Sequence, residues 1–237
     1  MLVLHVVASV AALATAVPLG PRAVGLIAVA LLLSQVYSAR PVRLSYRVAG
    51  APLALGIAYV AVPFALGIVA AHGSLAHAWS RLAAALFLLF CARIALKDFR
   101  DREGDARYGK PTILLRFGKR ATCALSVVAL AAGDVLLALA LGPALVLVVQ
   151  PLLLAIAWML RALRNADDPH AEQVAIGIGA RTGNGLLLCV LAWLTVRANG
   201  ASVTEASMPT AAIAAVFCFS FSSLASRPNE VSIGYKG

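Results

Sequence analysis

Eight stretches of this chain are apolar for long enough to cross, or nearly cross, a lipid bilayer, at about residues 2–17, 24–36, 51–71, 82–96, 121–141, 144–160, 186–196 and 211–224. A helix needs roughly 20 apolar residues to traverse a hydrocarbon core about 30 Å thick. Unpaired backbone inside lipid is too costly to tolerate, so segments rich in Ala, Leu and Val must be helical there. Several runs are short by strict hydropathy but reach spanning length once flanking small residues are counted. Leu19-Gly20-Pro21 and Gly142-Pro143 mark tight turns between antiparallel neighbours. The expectation is an all-α, polytopic transmembrane bundle of seven to eight helices. The last run is serine-rich and follows a polar stretch at 198–207, so it reads equally as an interfacial or loosely ordered segment. Residues 1–200 therefore read as one transmembrane domain, and 201–237 as a C-terminal segment with a possible extra helix at about 209–225 and a polar tail.

A net charge of +10 would suggest nucleic acid in a soluble chain, but with 62% hydrophobic residues and only 13% charged ones the basic side chains gather between apolar runs. That is a topology signal, and nucleic acid is excluded as a partner. If the helices alternate, Arg40, Arg43 and Arg47, the basic residues from Lys97 to Arg120, then Arg161, Arg164, Arg181, Arg227 and Lys236 fall on one side. Arg22, Arg81 and Arg197 fall opposite. The positive-inside rule then gives a multi-pass cell-membrane protein with the loops after the second, fourth and sixth helices in the cytoplasm. Residues 1–17 look like a signal h-region, yet no basic residue precedes them and further apolar runs follow, so they read as a helix of the bundle. Cys91, Cys123, Cys189 and Cys218 lie in apolar runs without CxxC spacing and read as buried thiols. The scattered His5, His72, His77 and His170 read as interfacial or helix-end residues rather than ligands.

No acidic residue precedes Asp98, and four then follow closely: Asp98, Asp101, Glu103 and Asp105. On a continuous helix the three aspartates, at i, i+3 and i+7, lie within roughly 60° of one another while Glu103 points elsewhere. Carboxylates so placed repel unless a cation sits between them. Hard oxygen ligands of this kind suit Mg²⁺, which shares its shell with water and phosphate oxygens. Arg102 falls on the same face, and Lys97, Arg100, Arg107 and Lys110 are near in sequence, as a diphosphate requires. The same pattern also reads as a solvated loop of alternating charge, and spacing alone does not separate the two. Asp134, in the middle of its run, reads as a helix–helix contact or a cavity residue.

The stretch KDFRDREGDARYGKPTILLRFG resembles the second aspartate motif of the UbiA-type prenyltransferase superfamily, with its following Gly-x-x-Thr and helix start. Upstream, Tyr37-Ser38-Ala39-Arg40-Pro41-Val42-Arg43-Leu44, then Gly50 and IAYVAVPFALG, is similar to that family's tyrosine-proline-arginine loop and the next helix. The order and spacing of the two segments also match, and the resemblance covers about residues 1–197. The resemblance implies a UbiA-like bundle in which Asp98, Asp101 and Asp105 hold Mg²⁺ on the diphosphate of a polyprenyl donor, Lys97 and Arg102 assist, and Tyr37 and Arg43 lie against the diphosphate and the allylic carbon. Arg40 stands where related loops often carry proline and receives no role. Taken alone, Tyr37 also reads as an interfacial anchor and the arginines as topology markers.

Such an enzyme ionises an allylic diphosphate and lets an apolar or aromatic acceptor capture the carbocation in a water-free cavity within membrane lipid. The family carries a first aspartate motif as well, after the second of nine helices, and residues 1–97 hold no acidic residue to supply it. The resemblance therefore implies a chain opening at the family's third helix, truncated or inactive, with poor transfer by this chain alone. The alternative expectation is a non-catalytic polytopic membrane protein, a transporter or scaffold.

Overall fold

The computed structural model describes residues 2–71 and 77–228, and all regular structure among them is helical. Met1, His72, Lys236 and the tail beyond residue 228 lie outside the described residues. Eight long helices follow the eight apolar runs: α1 (Leu2–Ala16), α2 (Pro21–Ser38), α3 (Gly50–Ala70), α4 (His77–Arg100), α6 (Ile113–Leu141), α7 (Pro143–Asn165), α8 (Pro169–Ala198) and α9 (Val203–Ser226). A single short helix, α5 (Arg102–Arg107), lies between α4 and α6. Six of the long helices are long and apolar enough to cross a bilayer, and Val3–Leu19 is a shorter apolar segment.

The turns follow from local chemistry. Gly20 and Gly142 take φ of 91° and 89°, a region open to glycine, and Pro21 and Pro143 then start α2 and α7 where no backbone donor is needed. In α3, Pro63 cannot donate to the preceding turn, and the helix widens into a π turn at Ile57–Ala61 before resuming. α9 starts with a capping box: Ser202 Oγ accepts from Glu205 N at 3.2 Å, and the Glu205 carboxylate accepts from Ser202 N at 2.6 Å. The serine-rich run is thus a full 24-residue helix.

Packing centres on α4. Of its buried residues, Leu82, Ala85, Leu89, Ala92, Leu96 and Phe99 alternate three and four apart, the spacing of a coiled-coil seam, with Ala95 buried beside them, and α4 packs most extensively on α6. Gly133 permits the approach, because a Cβ there would meet Leu89 Cγ at 2.9 Å. The helices α6 to α9 then pack in sequence, with Phe217 of α9 seated on Gly185 of α8. By contrast, α1 packs principally on α2, and α2 on α3.

One boundary differs from the sequence expectation. The seventh run is the C-terminal part of a 30-residue helix, so Arg181 projects from the body of α8 rather than from a loop. The stretch GIGARTGNG lowers hydropathy, but its glycines serve close packing: Gly179 lies against Met159, and Gly183 against Arg93.

Candidate functional site

The acidic segment, the end of α2, the start of α3 and the start of α6 meet at one end of the bundle. There a pocket of about 40 Å³ is lined by Tyr37 of α2, Ser45 and Val48 of the loop before α3, Lys97 and Asp98 of α4, and Asp101, Lys110 and Thr112. Tyr37 and the acidic segment therefore open on the same side, as the alternation of helices requires.

The backbone does not continue as one helix through the aspartates. Asp101 (φ −92°, ψ 6°) separates α4 from α5, so Asp98 and Asp101 end one helix and Asp105 rides on the next. Lys97 Nζ and Arg100 Nε each approach Asp101 at 3.7 Å, loose pairs between half-exposed side chains that contribute little to stability. Asp105 sits deeper and accepts from Lys110 Nζ at 2.9 Å, leaving its Oδ2 buried without a partner. Glu103, on α5, is exposed.

Two of the arginines are engaged elsewhere. Arg43, at the left-handed φ of 41°, places its guanidinium 3.6 Å above the ring of Tyr46. Arg102 donates to Glu172 Oε2 of α8 at 2.9 Å, while Lys119 of α6 donates to Glu172 Oε1 at 2.7 Å. Glu172 is only 5% exposed and joins α5, α6 and α8. Sequence reasoning missed it; an acidic residue in a first helical turn, after the Asp168 cap, signals a helix start and nothing more.

Electrostatics distinguish the pocket from an ordinary loop. Burial raises the Asp98 carboxyl from 3.8 to about 6; the nearby Lys110 works against this, while Asp105 and Asp101 add to it. Burial disfavours the Lys110 ammonium, but the hydrogen bond from Lys110 to Asp105 and the charges of Asp105 and Asp98 outweigh it and hold its pKa above the usual lysine value. A raised carboxyl means that the folded chain keeps a proton which the unfolded chain has already lost. Asp98 therefore costs stability as pH rises from about 4 to about 6. With a chelator present, the wild-type protein is expected to lose more thermal stability than Asp98→Asn across that window. Equal pH dependence of the two melting temperatures in detergent would refute this.

Among the described residues no three His, Cys, Asp or Glu side chains form a ready-made metal site. Magnesium does not need one: one or two carboxylates suffice when phosphate and water complete its shell. The residues present fit such an ion, since two carboxylates line one pocket and a third has an unpartnered buried oxygen.

Beside this pocket, α4 borders two larger apolar cavities, of about 350 and 450 Å³, which lie against α7 and α8. Both are of a size that takes small molecules.

Neither the curated proteins nor the solved structures compared with the chain give a match. The sequence profile of the UbiA prenyltransferase family matches residues 1–179, from α1 into α8 and across the whole acidic end. An all-helical membrane bundle matched by that profile over three quarters of its length belongs to the UbiA prenyltransferase family.

Proposed function

We propose that the chain binds an allylic polyprenyl diphosphate at the acidic end of the bundle and transfers the prenyl group to an aromatic or other apolar acceptor. The observation that supports this is the convergence of Tyr37, Lys97, Asp98, Asp101 and Lys110 on one pocket from three separate segments. Asp98 and Asp101, with Asp105 behind them, would hold Mg²⁺. When bound, the ion neutralises charge growing on the leaving diphosphate oxygens.

The protein's own groups do the rest. Lys97 and Lys110 attract the diphosphate and stabilise it as the carbon–oxygen bond breaks and the electron pair leaves with it. Tyr37 lies against the allylic carbon at the pocket rim. Arg43, stacked on Tyr46 outside the pocket, would reach the phosphates on movement of the loop at residues 39–49, and the pocket of about 40 Å³ has to widen to take a whole diphosphate. Arg102 assists from behind, using guanidinium donors that Glu172 leaves free. The aliphatic cavities exclude water, so the acceptor carbon forms the new bond to the cation and then releases its proton.

Purified chain in lipid discs, given radiolabelled polyprenyl diphosphates of several lengths, Mg²⁺ and a panel of aromatic acceptors, is expected to bind the diphosphate in a Mg²⁺-dependent manner and to form labelled apolar product slowly, since residues 1–97 supply no acidic residue for a second carboxylate wall. Absence of both would overturn the reading.

A further inference from the structure

The short helix α5 carries Asp105, the partner of Lys110 in the pocket, yet none of its six residues is buried. It touches the bundle chiefly through α4 and α6, its neighbours in sequence. A long-range tie comes from Arg102, whose Nη2 donates to Glu172 Oε2 at 2.9 Å across seventy residues of chain. The same guanidinium lies 5.5 Å from the centre of the buried Phe99 ring, so it is gripped between the last turn of α4 and the first turn of α8. From the other side, Tyr46 reaches only the Tyr108 carbonyl, at a long 3.5 Å.

Glu172 is itself fixed independently of α5. Its other carboxylate oxygen accepts from Lys119 of α6 at 2.7 Å, and Lys119 donates as well to the Ala166 carbonyl. It sits in the first turn of α8, where negative charge is favoured, just after the Asp168 cap that accepts from Ala171 N at 2.9 Å. The carboxylate is thus anchored from α6 and α8 before Arg102 meets it.

We propose that Glu172 is a positioning residue for the acidic pocket: through Arg102 it holds α5, and with it Asp105 and the chain break at Asp101, at the spacing a bound Mg²⁺ needs. The proposal rests on the diphosphate reading of that pocket. Arg102 follows Asp101 directly and lies three residues before Asp105, so a shift of Arg102 passes to both carboxylates through one turn of backbone. Asp105 N donates to the Asp101 carbonyl at 2.8 Å and Lys110 N to the Asp105 carbonyl at 2.9 Å, so that turn moves as a unit. An apolar contact would fasten α5 at a lower desolvation cost, but a charge-assisted hydrogen bond also fixes its direction. Without Glu172 the freed guanidinium, one residue from Asp101, competes with the metal for that carboxylate. Groups that orient a metal's ligands from behind change its affinity by about 10- to 100-fold when removed.

The test compares the whole chain in lipid discs with Glu172→Gln, Arg102→Gln and the double variant. Leu137→Ala is the control, since it opens a cavity at the far end of α6, where Leu137 is fully buried. Two quantities are read: exchange of the backbone amides at 102–110 without ligand, and the Mg²⁺ concentration that half-saturates binding of a radiolabelled polyprenyl diphosphate. Glu172→Gln should speed exchange in α5 and raise the half-saturating Mg²⁺ about tenfold, while the amount bound at saturating Mg²⁺ stays within about twofold. Arg102→Gln, which leaves Glu172 paired with Lys119, should do the same. The double variant should be no worse than either single one, because both act through one contact. Leu137→Ala should shift neither quantity despite a lower melting temperature. A wild-type chain that binds no diphosphate with Mg²⁺ overturns the reading of the pocket, and this proposal with it. Wild-type Mg²⁺-dependent binding that is unaltered in Glu172→Gln, or in Arg102→Gln where the first variant fails to fold, overturns this proposal alone, as do multiplying effects in the double variant.

Discussion

Replacing Asp98 and Asp101 together by asparagine is expected to lower Mg²⁺-dependent prenyl transfer by at least about 10²–10³-fold, the loss seen when even one preorganised electrostatic contact to a transition state is removed. Asparagine keeps the size and polarity of each side chain, so the end of α4 retains its packing through Leu96 and Phe99. What goes is the charge that holds the cation. Lys97 and Lys110 remain in the pocket, and with two carboxylates gone they attract a diphosphate directly. Metal-independent binding of the diphosphate should therefore persist or tighten while turnover collapses. Glu103→Gln, at an exposed position of α5, is the matched control and should leave the rate within about twofold. A double variant that keeps more than a tenth of wild-type activity would remove these aspartates from the mechanism.

Glu172→Ala is expected to destabilise the folded chain by about 3 kcal/mol, toward the lower end of what a broken buried ion pair costs. Its carboxylate is nearly inaccessible and answers two cations from two other segments, at 2.9 and 2.7 Å. Removal leaves Arg102 and Lys119 facing each other without a counter-charge. The cost is moderated because both cations keep about a third of their side-chain surface in water. Lys119 also donates to the carbonyl of Ala166, so the junction between α7 and α8 loosens as well. Glu172→Gln, which keeps acceptor oxygen but no charge, should fall between wild type and alanine. Thermal or denaturant unfolding in detergent reads this directly, and a loss below about 1 kcal/mol would show that the contact is incidental.

The fold was legible because hydropathy acts locally. Every long helix grew from a run of apolar residues, and Gly-Pro pairs announced two of the turns in advance. The longest helix was misread over its first half because glycine depresses hydropathy in the stretch where it allows Arg93 and Met159 to approach. At the site, residue identity pointed to Tyr37, Lys97, Asp98 and Asp101, which share the pocket. The break at Asp101 was not legible, because helical angles assume a helix that continues. Nor was the destination of Arg102, whose partner lies seventy residues further along the chain. Arg43 likewise stacks on Tyr46, a contact that depends on its left-handed backbone rather than on spacing.

The seam between α4 and α6 has a mechanical meaning. A three–four seam of buried residues resists both rotation and sliding of one helix on the other, so this pair acts as a post. The other wall of the acidic pocket hangs from α2, the loop before α3 and α3 itself, which lean on one another more than on the post. A long lipid-like molecule diffusing in the plane of the membrane would then enter between one closely braced wall and one more loosely braced wall. The aspartates of α4 stand on the closely braced wall.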